Sequence, residues 1–235
     1  MAGHAAPNIV EDGLVFLVDA ANPRSWTGPN SSTVNDLIGT PTGSIFNDTS
    51  GSYGDNNSFA FDGTDDYIDT NLSTNINSFS VSCWFKGDNL QTGAQKRLFD
   101  FADSTRTLNK FPILFVGNTT YATIGSGKIA ALDYSGAVGS ISADWDTNRN
   151  GLWNYVVLIV NNTNVELYLN DSSLVSGTIT RDTSYQNMTK FVIGAAANTT
   201  QYYFNGEIGP IQIYNHALSA QEIKQNYNAL KGRFS

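Results

Sequence analysis

Positive charge, cysteine, histidine and glutamate are all scarce in this chain of 235 residues. Each shortage weighs against a class of function. Thirteen lysines and arginines stand against 21 aspartates and glutamates, a formal net charge of −8 at pH 7. A binder that follows nucleic-acid phosphates needs clustered cations, so that class does not fit. A single cysteine, Cys83, precludes an intramolecular disulfide. It lies in Phe79-Ser80-Val81-Ser82-Cys83-Trp84-Phe85, which alternates as a strand does, and free cysteine is among the most buried residue types. A catalytic thiol would want a histidine beside it, and the chain has His4 and His216 alone.

No window holds the roughly 18 apolar residues of a membrane-crossing helix. The opening residues carry neither the basic nor the apolar stretch of an export signal. The protein is therefore expected to stay in a reducing cytoplasm or to leave it by another route. Glutamate occurs at Glu11, Glu166, Glu207 and Glu222. Glycoside hydrolysis needs two carboxyls at a set spacing, yet Glu166 and Glu207 lie on separate expected strands with no third partner. No catalytic residue and no enzymatic activity are expected.

What the chain does contain is strand pattern. Leu14-Val15-Phe16-Leu17-Val18-Asp19, Ser58-Phe59-Ala60-Phe61 and Asp66-Tyr67-Ile68-Asp69 are short apolar runs bounded by turn residues. Residues 79–86, 97–101, 111–116, 191–194 and 204–214 read likewise, Pro112 marking an edge or a strand start. Residues 20–55 read mostly as turns, and Asp62-Gly63-Thr64-Asp65 as a tight turn between two strands. Residues 153–160 are apolar on both faces and lead into a hairpin. There Val165, Leu167 and Leu169 share one face, and Glu166, Tyr168 and Asn170 take the other. A capping box, Ser219-Ala220-Gln221-Glu222, opens a C-terminal helix whose stripe is Ile223, Tyr227 and Leu230, with Gly232 as a left-handed end. Residues 1–12 read as a flexible arm and residues 13–235 as one domain. The sum is an all-β, two-sheet antiparallel jelly-roll sandwich with one short C-terminal helix.

Four stretches carry a family likeness: Phe61-Asp62-Gly63-Thr64-Asp65-Asp66-Tyr67-Ile68, residues 79–85, residues 153–169 and residues 191–234. In order and spacing they resemble the laminin G-like branch of the concanavalin A-like jelly rolls. Residues 12–23 and 214–234 look like the variant found in virion proteins of tailed bacteriophages. That resemblance implies a structural protein on the virion surface, as capsid decoration, fibre or tail component, made in the host cytoplasm. It further implies contact with other virion subunits through the N-terminal arm, a homo-oligomer or multi-copy assembly, and a cell-surface glycan as ligand. Nucleic acid and membrane are not expected partners. The alternative is a carbohydrate-binding lectin module of a bacterial polysaccharide-active system. Hydrolases of this fold carry Glu-x-Asp-x-Glu on one strand, and that motif is absent here.

The resemblance also implies calcium at the sandwich rim, and calcium takes several hard oxygens. One loop offers Asp65 and Asp66, with Asp62 and Asp69 nearby, close to Gly206-Glu207-Ile208. Many relatives have an aspartate after that isoleucine, where this chain has Gly209. A second loop offers Asp144, Asp146 and Asn148 at alternate positions, although Arg149 and Tyr155 rule out an EF-hand. The alternative for both loops is that these side chains cap turns. For a glycan, an aromatic platform beside amides and hydroxyls is needed. Trp26, Trp145, Tyr202 and Tyr203 stand in polar surroundings and are the candidates. Otherwise these rings pack over the ends of the sandwich or contact another virion subunit.

Overall fold

Alternation along the strands sorts side chains into an inner and an outer set, and two sheets close over the inner one. The computed structural model describes residues 8–28, 31–39, 42–46, 56–72, 78–102, 109–117, 124–133, 139–179, 189–197 and 201–235. Residues 1–7, which hold His4 and most of the expected arm, lie outside that set. The first sheet runs β1 (Leu14–Val18), β15 (Asn205–Tyr214), β6 (Ser78–Lys86), β11 (Asn154–Asn161), β12 (Asn164–Leu169) and β13 (Ser172–Thr178). A short β4 (Phe59–Asp62) continues past β1 along the same side of β15. The second sheet runs β10 (Gly139–Asp144), β9 (Lys128–Asp133), β8 (Asn109–Gly117), β7 (Lys96–Ala102), β14 (Lys190–Ile193), β5 (Tyr67–Thr70), β3 (Thr42–Phe46) and β2 (Thr33–Asn35). All pairings are antiparallel, as a jelly-roll sandwich requires.

On β6, Phe79, Val81, Cys83 and Phe85 enter the core between the sheets. Burial pushes the Cys83 thiol far above its ordinary range, so it is a packed core side chain. Ser80, Ser82 and Trp84 face out, beneath the C-terminal helix. The helix, α1 (Ala220–Leu230), has the expected capping box: Glu222 N–H donates to Ser219 Oγ at 3.3 Å, and Ser219 N–H donates to Glu222 Oε2 at 2.8 Å. Ile223 is fully buried, and the Tyr227 ring stacks on Trp84 at 5.4 Å. That cover explains why β11 is apolar on both faces. Val156, Leu158 and Val160 line the core, whereas Tyr155, Val157 and Ile159 lie under or beside α1.

Several expectations change. Gly232 is not a left-handed cap: Lys231 closes α1 in right-handed geometry, and a 3-10 turn continues to Arg233. That turn delivers Phe234 onto Trp84 and Trp153. The arm expected over residues 1–12 is at most shorter, because Val10 is buried and its N–H donates to Asn226 Oδ1 at 2.7 Å. Residues 20–55 hold two strands, β2 and β3, which lack a long apolar run because they end the second sheet. The Asp62–Asp65 turn is no hairpin, since β4 joins the first sheet and β5 the second. Pro112 is not at a sheet edge. It falls in a bulge of β8 between Lys110 and Ile113, and among the described residues pairing with β9 runs from Ile113. Pro210 likewise sits in a bulge of the central strand β15, where no ladder bond is required of it.

Candidate functional site

The C-terminal helix covers only part of the outer face of the first sheet. Past its N-terminus the described residues leave the sheet open, and there a cavity of about 460 Å³ forms against β11, β12 and β13. The hairpin between β11 and β12 turns at Asn162, held at φ 55°, a conformation that asparagine tolerates better than most residues. Its register sets Ile159 beside Glu166, and Asn161 beside Asn164. The next pairing sets Glu166 beside Ser176, and Asn164 beside Thr178. Period-2 geometry therefore gathers two ranks of side chains on one outer face. Ile159, Ala217 and Leu218 supply an apolar floor and wall, and Asn161, Asn164, Glu166, Ser176 and Thr178 supply polar groups.

The wall is fixed by Ser80. Its hydroxyl donates to the His216 carbonyl at 3.0 Å and accepts from Leu218 N–H at 2.9 Å. Around Glu166, Ser173 Oγ donates to Oε1 at 2.5 Å. Tyr168, on the same face, has its hydroxyl pushed above its ordinary range by burial and by the Glu166 charge. The site thus presents one carboxylate, two side-chain amides and two hydroxyls beside an aliphatic patch, a set suited to hydrogen bonding a neutral polyol. None of these residues was singled out from the sequence as a ligand contact. The Ser78-x-Ser80-x-Ser82 alternation and the asparagines flanking the hairpin turn were the available signals.

The expected aromatic platforms divide. Trp26 and Trp145 are buried, 1% and 5% exposed, which removes them as ligand faces. Trp26 packs on Phe59, and Trp145 on Phe85 with its ring N–H donated to Asn150. Tyr202 is 38% exposed, with the Arg97 guanidinium over its ring at 5.0 Å. Tyr203 is half-buried against Tyr67. Arg97 and Asp100 pair on the second sheet just beneath, where Ala197 N–H also donates to Asp100 Oδ2 at 2.8 Å.

The acidic loops also divide. Asp62, Asp65 and Asp66 offer oxygens that all lie within 4.8 Å of one another. The turn uses part of that capacity itself: Thr64 N–H donates to Asp62 Oδ1 at 2.7 Å and Asp62 N–H donates to Asp66 Oδ2 at 2.9 Å. The Thr64 amide, with further amides of the turn, draws the Asp62 carboxyl below its ordinary range. Asn205 lies against Gly63 and brings an amide to this turn. Asp69 is apart, on β5, facing Lys190 at 3.7 Å. Asp144 and Asp146, of the second loop, are each engaged by a neighbour. Asp144 pairs with Lys128 at 2.7 Å, and Asp146 caps a 3-10 turn by accepting from Asn148 N–H. Gly209 is a packing position, since a Cβ there would meet the Phe234 ring at 2.8 Å.

Among solved structures, the Trypanosoma rangeli sialidase in complex with sialic acid matches with a TM-score of 0.70 at 14% identity, covering all (100%) of this chain and 37% of that one. The botulinum neurotoxin serotype D binding domain matches with a TM-score of 0.67 at 16% identity, covering 92% and 51%. The binding domain of botulinum neurotoxin DC in complex with SialylT gives 0.65 at 14% identity, covering 93% and 52%. This chain thus spans about half or less of each of those chains, and the likeness is one of fold. No curated protein sequence matches it. A laminin G-type family model, described as the Concanavalin A-like lectin/glucanases superfamily, matches residues 62–224, more than half of the chain. The chain therefore belongs to the concanavalin A-like lectin/glucanase superfamily.

Proposed function

We propose that this protein is a non-catalytic carbohydrate-binding module that serves as a surface component of a tailed-bacteriophage virion. The observation that carries the glycan reading is the cavity on β11, β12 and β13. A sugar ring presents apolar C–H faces and polar edges. Ile159, Ala217 and Leu218 suit the first, and Asn161, Asn164, Glu166, Ser176 and Thr178 suit the second. Among the described residues, Glu166 is the one carboxylate lining the cavity, whereas cleavage needs two. Glu207 is engaged elsewhere, by Lys86 at 2.8 Å and by Ser58. Membership of the lectin/glucanase superfamily supports the class of ligand, as do the sialic acid and SialylT complexes of the similar structures.

The virion placement rests on the likeness of residues 12–23 and 214–234 to phage proteins, and its alternative is a lectin module of a bacterial polysaccharide-active system. Within the same reading, calcium is assigned to Asp62, Asp65 and Asp66 with Asn205 adjoining, because those carboxylate oxygens converge, whereas Asp144 is paired with Lys128 and Asp146 caps a turn.

A glycan-array screen followed by titration calorimetry tests the binding. Wild type retains a glycan, and Glu166→Gln weakens it about tenfold through loss of a charge-assisted hydrogen bond. Retention of no glycan at all ends this reading. Capsid or tail genes beside the coding sequence support the virion placement, whereas a polysaccharide-utilisation cluster supports the alternative.

A further inference from the structure

Charge in the cavity is one-sided. Among the described residues its lining holds Glu166 and no lysine, arginine or histidine. Glu166 stands on the middle strand, opposite Ile159 on β11 and opposite Ser176 on β13. The diagonal positions on the same face, Asn161 and Thr178, lie about 7–8 Å from it. Charge is screened over about 8 Å in physiological salt, so the carboxylate acts on whatever rests anywhere between these strands.

Cations around this part of the fold are engaged elsewhere. His216 precedes the wall residue Ala217, but its ring faces the Glu222 carboxylate at 3.4 Å. On the same sheet Lys86 is held by Glu207 at 2.8 Å. The N-terminus of α1 adjoins the wall, and a helix N-terminus attracts anions. Here that attraction is already answered. The capping box consumes the Ser219 and Glu222 amides and sets a carboxylate at the helix start. Hydrogen bonds from the Ser219 hydroxyl and amide hold that carboxyl below its ordinary range, so it stays ionised. With a net charge of −8, the chain adds a field of the same sign.

We propose that the cavity admits uncharged sugars and excludes those bearing a carboxylate or sulfate, with Glu166 as the residue that sets this selection. The selection names a ligand class for the cavity and rests on the glycan reading above. An uncharged sugar offers hydroxyls that donate to Glu166 and exchange hydrogen bonds with the Asn161 and Asn164 amides. An acidic sugar sets a second anion against the first, with no cation in the lining to offset the pair.

The test pairs each neutral oligosaccharide on an array with the same oligosaccharide after its primary alcohols are oxidised to carboxylates. Wild type is expected to retain a neutral member and to bind its oxidised counterpart at least about tenfold more weakly in titration calorimetry. Glu166→Gln keeps the side-chain shape and removes the charge. It is expected to weaken the neutral glycan and leave the oxidised one unchanged or tighter, so that the ratio falls toward unity. Glu166→Lys is expected to reverse the preference; the glutamine variant decides if the lysine variant fails to melt cooperatively. Equal or tighter binding of the oxidised glycan by wild type overturns the selection and leaves the glycan reading standing. A wild-type ratio that persists in Glu166→Gln overturns the role of Glu166. Retention of neither kind of glycan ends the glycan reading and the selection with it.

Discussion

Val10 and Asn226 lie 216 residues apart in sequence and are joined by a 2.7 Å hydrogen bond from the Val10 amide to the Asn226 side-chain oxygen. Tyr214 closes the ring. Its hydroxyl donates to the Val10 carbonyl at 3.1 Å and accepts from Asn226 Nδ2 at 3.0 Å. Three elements that share no local contact are thereby tied: the N-terminal segment, the central strand β15 and α1. Burial pushes the Tyr214 hydroxyl above its ordinary range, so it remains a neutral donor.

Asn226→Ala is expected to cost about 2–3 kcal/mol, because it strips partners from a buried amide and a buried hydroxyl at once. Urea unfolding measures it. A loss below about 0.5 kcal/mol, as for an ordinary surface substitution, would mean that the ring contributes nothing.

Phe234 covers Trp84 at 4.9 Å and Trp153 at 4.5 Å, with Gly209 beneath it. Phe234→Ala is expected to cost about 3 kcal/mol in lost burial. Gly209→Ala overpacks the same contact and is expected to cost about 1–3 kcal/mol. In the Phe234→Ala background that second cost should shrink, since the ring it strikes is gone. Equal costs in both backgrounds would show the two sites to be uncoupled.

Burial pushes the Asp100 carboxyl up from 3.8 to about 6, against the pull of Arg97 and of the Ala197 amide. The folded state then holds this proton more tightly than the unfolded chain does. Protonation of Asp100 therefore favours folding in acid, and that contribution fades as pH climbs from about 4 through about 6. Arg97→Met alone leaves a buried charge unpaired and is expected to cost about 3–5 kcal/mol. Arg97→Met with Asp100→Leu should recover most of that loss and flatten the stability profile between about pH 4 and 6. Calorimetric melting across that range checks both outcomes.

Calcium added to chelator-treated protein is expected to raise the melting temperature, and Asp65→Asn with Asp66→Asn to abolish the rise. Asp144→Asn should leave the rise unchanged, because its carboxylate faces Lys128 and not the acidic turn. No shift in the wild type would remove the cation from the proposal.

Much of the architecture is legible from local pattern. The Phe79–Phe85 alternation predicts an inner and an outer face, and β6 has both. Val165, Leu167 and Leu169 face the core as their spacing requires. Ser219 and Glu222 announce the start of α1, because a capping box lies within four consecutive residues and needs no distant partner. Asn226 was not legible, since an amide on a helix stripe reads as solvent-facing until Val10 and Tyr214 arrive beside it.

The residues by themselves therefore determined that the apolar runs are strands, where the helix starts and that Cys83 is buried, since each follows from the period of a short stretch, while β2 and β3 escaped for want of such a run. Partnership is another matter, because it depends on strands that sequence separates widely. Only the tertiary structure decided that Asp62 and Asp69 end up on different sheets, that Trp26 and Trp145 are interior, and that Ser80 draws Ala217 and Leu218 over β11 to wall a cavity. Side-chain period says which way a residue faces, and the strands packed on either side decide what it meets there.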